Sequence, residues 1–201
     1  MSMVRRLARF RVAVVAAAAI AMGAITSVAP AASAAPAPVA SGLRIGEAAP
    51  AQTVLYYQFV NYNSDKCLDV TGRSTANGAR IQQWDCDVSG NGSGANQGWG
   101  FVPAATSGYY TAVNLNSGKC LDVTGRSTAN GAVLQQWTCN GGTNQEWFPR
   151  VVQNNPAATI YNLVNLNSGK CLDVTGRSTA NGAVVQQWTC NGGVWFAVTG
   201  M

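Results

Sequence analysis

From Thr53 onward, apolar and polar positions alternate over runs too short to be helices. TVLYYQFVNY, YYTAVNL and TIYNLVNL are rich in aromatic and β-branched residues, and each is followed by Asn, Ser or Gly. Short β-favouring runs bounded by turn residues predict strands. No stretch after residue 53 sustains a helical period, so the domain is expected to be all-β.

The pattern recurs as a unit. NSDKCLDVTGRSTANGARIQQWDC (63–86), NSGKCLDVTGRSTANGAVLQQWTC (116–139) and NSGKCLDVTGRSTANGAVVQQWTC (167–190) are nearly verbatim copies. One supersecondary unit of about 50 residues therefore appears three times in tandem. The repeats run over about residues 53–104, 105–155 and 156–201.

Within a unit, the register follows if the two cysteines face each other across an antiparallel ribbon. Asp69 then lies opposite Trp84, Asp122 opposite Trp137, and Asp173 opposite Trp188. Alternation places Leu68, Val70 and Ile81 on one face, and Cys67, Asp69, Gln82 and Trp84 on the other. The first face is the expected core. Asn77-Gly78 falls off the symmetric turn centre, which predicts a bulge, and Gln83 lands on the apolar face without an evident reason.

Asn-Gln-x-Trp closes the first two units, at Asn96-Gln97 and Asn144-Gln145, ahead of Trp99 and Trp147. The third unit lacks that pair and runs from Gly193 through Val194 into Trp195. The first carries an insertion, DVSGNGSGA, at 87–95.

Residues 1–34 change the charge picture. Arg5, Arg6, Arg9 and Arg11 precede an uncharged apolar stretch from Val12 to Ile25, and Ala32-Ser33-Ala34 fits a cleavage site, as in a secretory signal peptide. An uncleaved anchor is the rival, but the stretch is short and interrupted by Ser27 and Pro30. Removing those four arginines takes the net charge from +5 to about +1. No basic run remains to suggest a nucleic-acid or membrane partner. The Ala- and Pro-rich segment 35–52 is expected to be a flexible tether.

An exported chain with six cysteines implies three disulfides. The shared spacing makes within-unit pairing the simplest choice: Cys67 with Cys86, Cys120 with Cys139, Cys171 with Cys190. Zinc is disfavoured because the chain has no histidine and no close cysteine pair. No cofactor is expected.

CLDV, then QxW-C, then NQxW, repeated threefold over 53–201, resembles the ricin B-chain-like (QxW) lectins and the related carbohydrate-binding modules of xylan-degrading enzymes. The resemblance implies a β-trefoil: three four-stranded lobes forming a six-stranded barrel capped by three hairpins, with a potential sugar site in each lobe. It implies sites at Asp69, Trp84 and Asn96, at Asp122, Trp137 and Asn144, and at Asp173 and Trp188, the last without its asparagine. Gln97 and Gln145, with Gln82, Gln135 and Gln186, would support them, while Trp99, Trp147 and Trp195 would be core.

These residue types suit a sugar. An indole offers a flat platform for the C–H face of a pyranose, and a carboxylate and an amide take and give hydroxyl hydrogen bonds. The expected activity is multivalent binding of a galactoside or of a plant-type polysaccharide such as xylan, by a secreted, extracellular monomer. Catalysis is disfavoured, since no unit repeats a second acid at the spacing a glycosidase needs. The alternative is an inhibitor-type protein-binding role, for which 87–95 is the candidate loop.

Overall fold

The structure is a computed structural model that describes residues 54–199 apart from 90–91 and 156–157. The signal peptide at 1–34 and the tether at 35–52 lie outside the described residues.

Twelve strands succeed one another in three sets of four. The first lobe holds β1 (Tyr56–Asn61), β2 (Cys67–Val70), β3 (Ile81–Trp84) and β4 (Gly98–Pro103). The second holds β5 (Tyr110–Asn114), β6 (Cys120–Val123), β7 (Leu134–Trp137) and β8 (Glu146–Asn155). The third holds β9 (Ala158–Asn165), β10 (Cys171–Val174), β11 (Val185–Trp188) and β12 (Trp195–Thr199).

The first and fourth strands of each lobe pair in a closed antiparallel ring, β1-β4-β5-β8-β9-β12 and back to β1. Closure leaves that ring no unpaired edge. The second and third strands of each lobe form a hairpin, β2-β3, β6-β7 and β10-β11. A six-stranded barrel carrying three hairpins is a β-trefoil.

The core is built from threefold sets of identical positions. Leu68, Leu121 and Leu172, Val70, Val123 and Val174, and Ile81, Leu134 and Val185 are all buried. Trp99, Trp147 and Trp195 are fully buried at its centre. Each indole N–H is satisfied inside, donating to the carbonyl of Leu68, Leu121 or Leu172 at 3.1, 3.1 and 3.3 Å. An indole can lie this deep because its one polar atom finds a partner.

All three disulfides close within a lobe, Cys67–Cys86, Cys120–Cys139 and Cys171–Cys190, with Cα–Cα distances of 5.0, 5.1 and 5.0 Å. The hairpin register differs from the expected one. Cys67 pairs with Trp84 and Asp69 with Gln82, and the other lobes do likewise. The disulfide therefore ties Cys67 to a residue beyond the last ladder pair. Because the difference is two residues, every side chain keeps its face.

The loop between the hairpin strands explains the shift. It opens on Thr71–Arg73, where Gly72 and Arg73 are both left-handed with φ of 64° and 54°. The chain turns there as well as at Asn77-Gly78, so the ladder from Cys67–Val70 to Ile81–Trp84 runs without a bulge.

Gln83, unexplained in the sequence, is a clasp between lobes. Fully buried, it donates to the carbonyls of Ser178 and Ala180 at 2.8 and 3.0 Å and accepts from Ser64 Oγ at 2.7 Å. Gln136 holds Ser74 and Ala76 in the same way, and Gln187 holds Ser127 and Ala129. Each lobe thus fixes the hairpin loop of the lobe before it, around a closed ring.

Candidate functional site

In the first two lobes the aspartate of CLDV, at the third position of the second strand, is the floor of a cavity. Asp69 Oδ1 accepts from Gln82 Nε2 at 2.8 Å, and Oδ2 accepts from Asn96 Nδ2 and Gln97 Nε2 at 2.7 and 3.0 Å. Asp122 repeats this with Gln135, Asn144 and Gln145 at 2.9, 2.7 and 2.9 Å. Both carboxylates are buried, at 4% and 3% exposure. Burial pushes the Asp69 carboxyl above its ordinary value, against the lowering effect of its amide donors and of Arg73.

Gln97 and Gln145 stand behind the carboxylate with both amide atoms engaged. Gln97 also donates to the Asp85 carbonyl and accepts from the Asp87 amide. Gln145 donates to the Thr138 carbonyl and accepts from the Asn140 amide. Asn96 and Asn144 are different: each spends its amide N–H on the aspartate and on a backbone carbonyl, while its Oδ1 accepts nothing among the described residues.

The indoles sit at the rim. Trp84, Trp137 and Trp188 end the third strand of their lobes and are 45%, 39% and 38% exposed, unlike the three sealed tryptophans of the core. Cavities of about 670, 390 and 330 Å³ bring each of these indoles together with its lobe's aspartate. The first is larger because Asp85, Asp87 and Ser93 add to its wall. Hydrogen bonds from Ser89 and Ser93 hold Asp87 down to about 2, and Asp85 is lowered by Lys66, at 2.6 Å, and Asn181.

The third lobe departs from this plan. Asp173 is half-buried and accepts only from Gln186 Nε2, at 3.1 Å, among the described residues. In this lobe the backbone of Gly193 packs directly against β10. A Cβ built on Gly193 would stand 2.2 Å from the Leu172 carbonyl oxygen and 3.1 Å from Asp173 Oδ1, so only glycine fits there.

Two features escaped the sequence reading. Arg73, Arg126 and Arg177 line the three cavities, and each is held at a φ of 52–54°. Their backbone carbonyls are fixed by Asn116, Asn167 and Asn63 of the adjoining lobe at 3.0, 2.9 and 3.2 Å. A non-glycine residue kept left-handed in every copy signals a constrained position, and the verbatim TGR after each CLDV carried that information. The second is that each indole is flanked by a neighbouring turn. Built Cβ atoms on Gly78, Gly131 and Gly182 would lie 3.8, 3.7 and 3.7 Å from Trp137, Trp188 and Trp84.

Residues 45–94 and 95–188 match the ricin-type β-trefoil lectin domain-like family. The chain belongs to this family. Its fold is similar to the designed three-fold symmetric protein ThreeFoil, 40% identical over 71% of this chain and 97% of that one, with a TM-score of 0.62. It is also similar to an exo-β-1,3-galactanase from Clostridium thermocellum, 38% identical over 73% of this chain and 30% of that one, with a TM-score of 0.65. In sequence it is 33% identical to Serine protease 1 of Rarobacter faecitabidus over 46% of this chain and 23% of that protein. The chain thus spans under a third of both enzymes.

Proposed function

We infer that this lectin-like chain is a secreted, non-catalytic carbohydrate-binding domain that engages a polymeric or clustered glycan through more than one lobe. The observation carrying this is the threefold recurrence of an exposed indole beside a carboxylate that accepts from a glutamine amide of the facing strand. An indole rim gives a sugar ring its stacking platform at little entropic cost. The carboxylate floor and the unused asparagine oxygen accept hydroxyl protons.

In this reading Asp69, Trp84 and Asn96 form one sugar site, and Asp122, Trp137 and Asn144 another. Gln97 and Gln145 act from behind. Shallow sites of this kind bind weakly, at about −4 kcal/mol for a millimolar dissociation constant. Joining them on one rigid body raises apparent affinity for a polymer wherever two can be reached together. The partial overlap with two enzymes fits a module that brings a separate or appended activity to its substrate.

Hydrolysis is a poorer fit. Asp69 is the one acid of the first cavity with a raised carboxyl, but three amide donors aimed at its oxygens favour the ionised acceptor over a protonated general acid. Asp85 and Asp87 have no counterpart in the other lobes, where Thr138 and Asn140, and Thr189 and Asn191, stand.

The test is retention of the chain on galactan, xylan, arabinan and mannan, together with a glycan array, using Trp137→Ala as the comparison. Binding to at least one polymer, weakened by the substitution, is the expected result. Failure to bind any of them would overturn the reading.

A further inference from the structure

The third lobe lacks the Asn-Gln turn, and its absence leaves a cavity of about 350 Å³ at the junction with the first lobe. That volume is in the range of small-ligand sites. It lies beside the cavity under Trp188, and Asp173 and Arg177 line both.

The chemistry of its wall is particular. At the two other junctions the amide of the strand-ending asparagine is consumed by the turn of the preceding lobe: Asn114 Nδ2 donates to the Asn96 and Gly98 carbonyls, and Asn165 Nδ2 to those of Asn144 and Glu146. Asn61 is the corresponding residue at this junction and is 5% exposed. Its Oδ1 accepts from the Asn63 and Ser64 amides at 3.0 and 3.2 Å, but its Nδ2 has no acceptor among the described residues. Asn61 lines the cavity, so this amide borders it as an accessible donor for an acceptor that enters.

Tyr62, the next residue, also lines this cavity and is 47% exposed. Leu115 and Leu166 occupy its position in the other copies, so the aromatic ring stands only where the turn is missing. Around one space there are thus an amide donor, a carboxylate with one oxygen unengaged among the described residues, a guanidinium and an aromatic ring. Apolar face plus convergent donors and acceptors is the signature of a sugar seat, as argued above for the indole sites.

Resting on the carbohydrate reading, we propose that the third lobe is not a depleted copy but a two-unit groove. One sugar stacks on Trp188, and the next unit of a linear oligosaccharide lies against Tyr62 and accepts from Asn61, with Asp173 and Arg177 serving both. The first two lobes, whose turn fills this junction, take one unit each at the equivalent place.

The experiment follows the side-chain indole resonances of the full chain by NMR during titration with galactose and β-1,3-galactotriose, and with xylose and xylotriose. The Trp84→Ala/Trp137→Ala variant isolates the third lobe by changing two exposed side chains. In that variant the trisaccharide of a bound series should shift Trp188 at roughly tenfold lower concentration than its monosaccharide. Adding Tyr62→Leu, the residue its sister lobes carry, should abolish that advantage and leave the monosaccharide unchanged. Equal affinity for the two sugars, no effect of Tyr62→Leu, or no response of Trp188 while Trp84 and Trp137 respond in the wild type would overturn the groove and leave the lectin reading standing. A wild type in which none of the three rim indoles responds, and which no polysaccharide retains, would remove both.

Discussion

Asp122 and Asp173 occupy the same position in successive copies, yet replacing each by asparagine should have very different effects on stability. Asp122 accepts three amide N–H groups, from Gln135, Asn144 and Gln145. A hydrogen bond to a charged group is worth about 1.5–3 kcal/mol. An asparagine retains one oxygen; its NH₂ must face an existing donor, so at least one bond becomes a repulsion and the others lose their charge assistance. The loss for Asp122→Asn should be about 2–4 kcal/mol. At about 2–4 °C per kcal/mol for a domain of this size, the melting temperature should fall by roughly 4–16 °C.

Asp173 accepts from Gln186 alone among the described residues. Its replacement can turn the oxygen to Gln186 and the NH₂ into the neighbouring cavity, so Asp173→Asn should cost less than about 1 kcal/mol. Thermal melts followed by calorimetry and circular dichroism, with the disulfides intact, decide the matter. Equal falls in melting temperature would refute the argument that the missing turn, rather than the aspartate itself, sets how much each lobe depends on its carboxylate.

Gln136→Leu should destabilise by about 2–4 kcal/mol, because it strips the Ser74 and Ala76 carbonyls of their side-chain donor and takes from Ser117 Oγ its 2.7 Å acceptor; urea titration measures it, and a loss below about 0.5 kcal/mol would count against the clasp. Removing one disulfide, as in Cys120→Ala/Cys139→Ala, should cost roughly 3 kcal/mol for a loop of this length, read from the same titration. The pH dependence follows from Asp69, whose folded carboxyl is raised by burial. A raised carboxyl penalises the fold while ionised, so that penalty is present above its folded value and is relieved as pH falls through it. Sugar binding at Trp84 needs the ionised acceptor and should therefore decline on acidification before pH 3.8 is reached, as monitored by the Trp84 indole in the Trp137→Ala/Trp188→Ala variant; binding that persists undiminished below that pH would contradict the role given to Asp69.

Local sequence determined the repeat, the disulfide partners and the two faces of each hairpin, because all three rest on short-range spacing and on an alternation of two that a register difference of two residues cannot disturb. It also separated the rim tryptophans from the core tryptophans, since Trp84 and Trp99 sit at different points of a motif copied three times. What it could not supply was anything carried by one lobe on behalf of another. Gln83 looked misplaced because its partners, Ser178 and Ala180, lie near the far end of the chain. Arg73 carried no local signal because the asparagine holding its left-handed backbone belongs to the second lobe. The absent Asn-Gln pair showed only as a third site without its asparagine, while in three dimensions the amide of Asn61 faces a cavity beside Tyr62. Closing the barrel brings β1 against β12, and contacts across that closure have no spacing from which a sequence could reveal them.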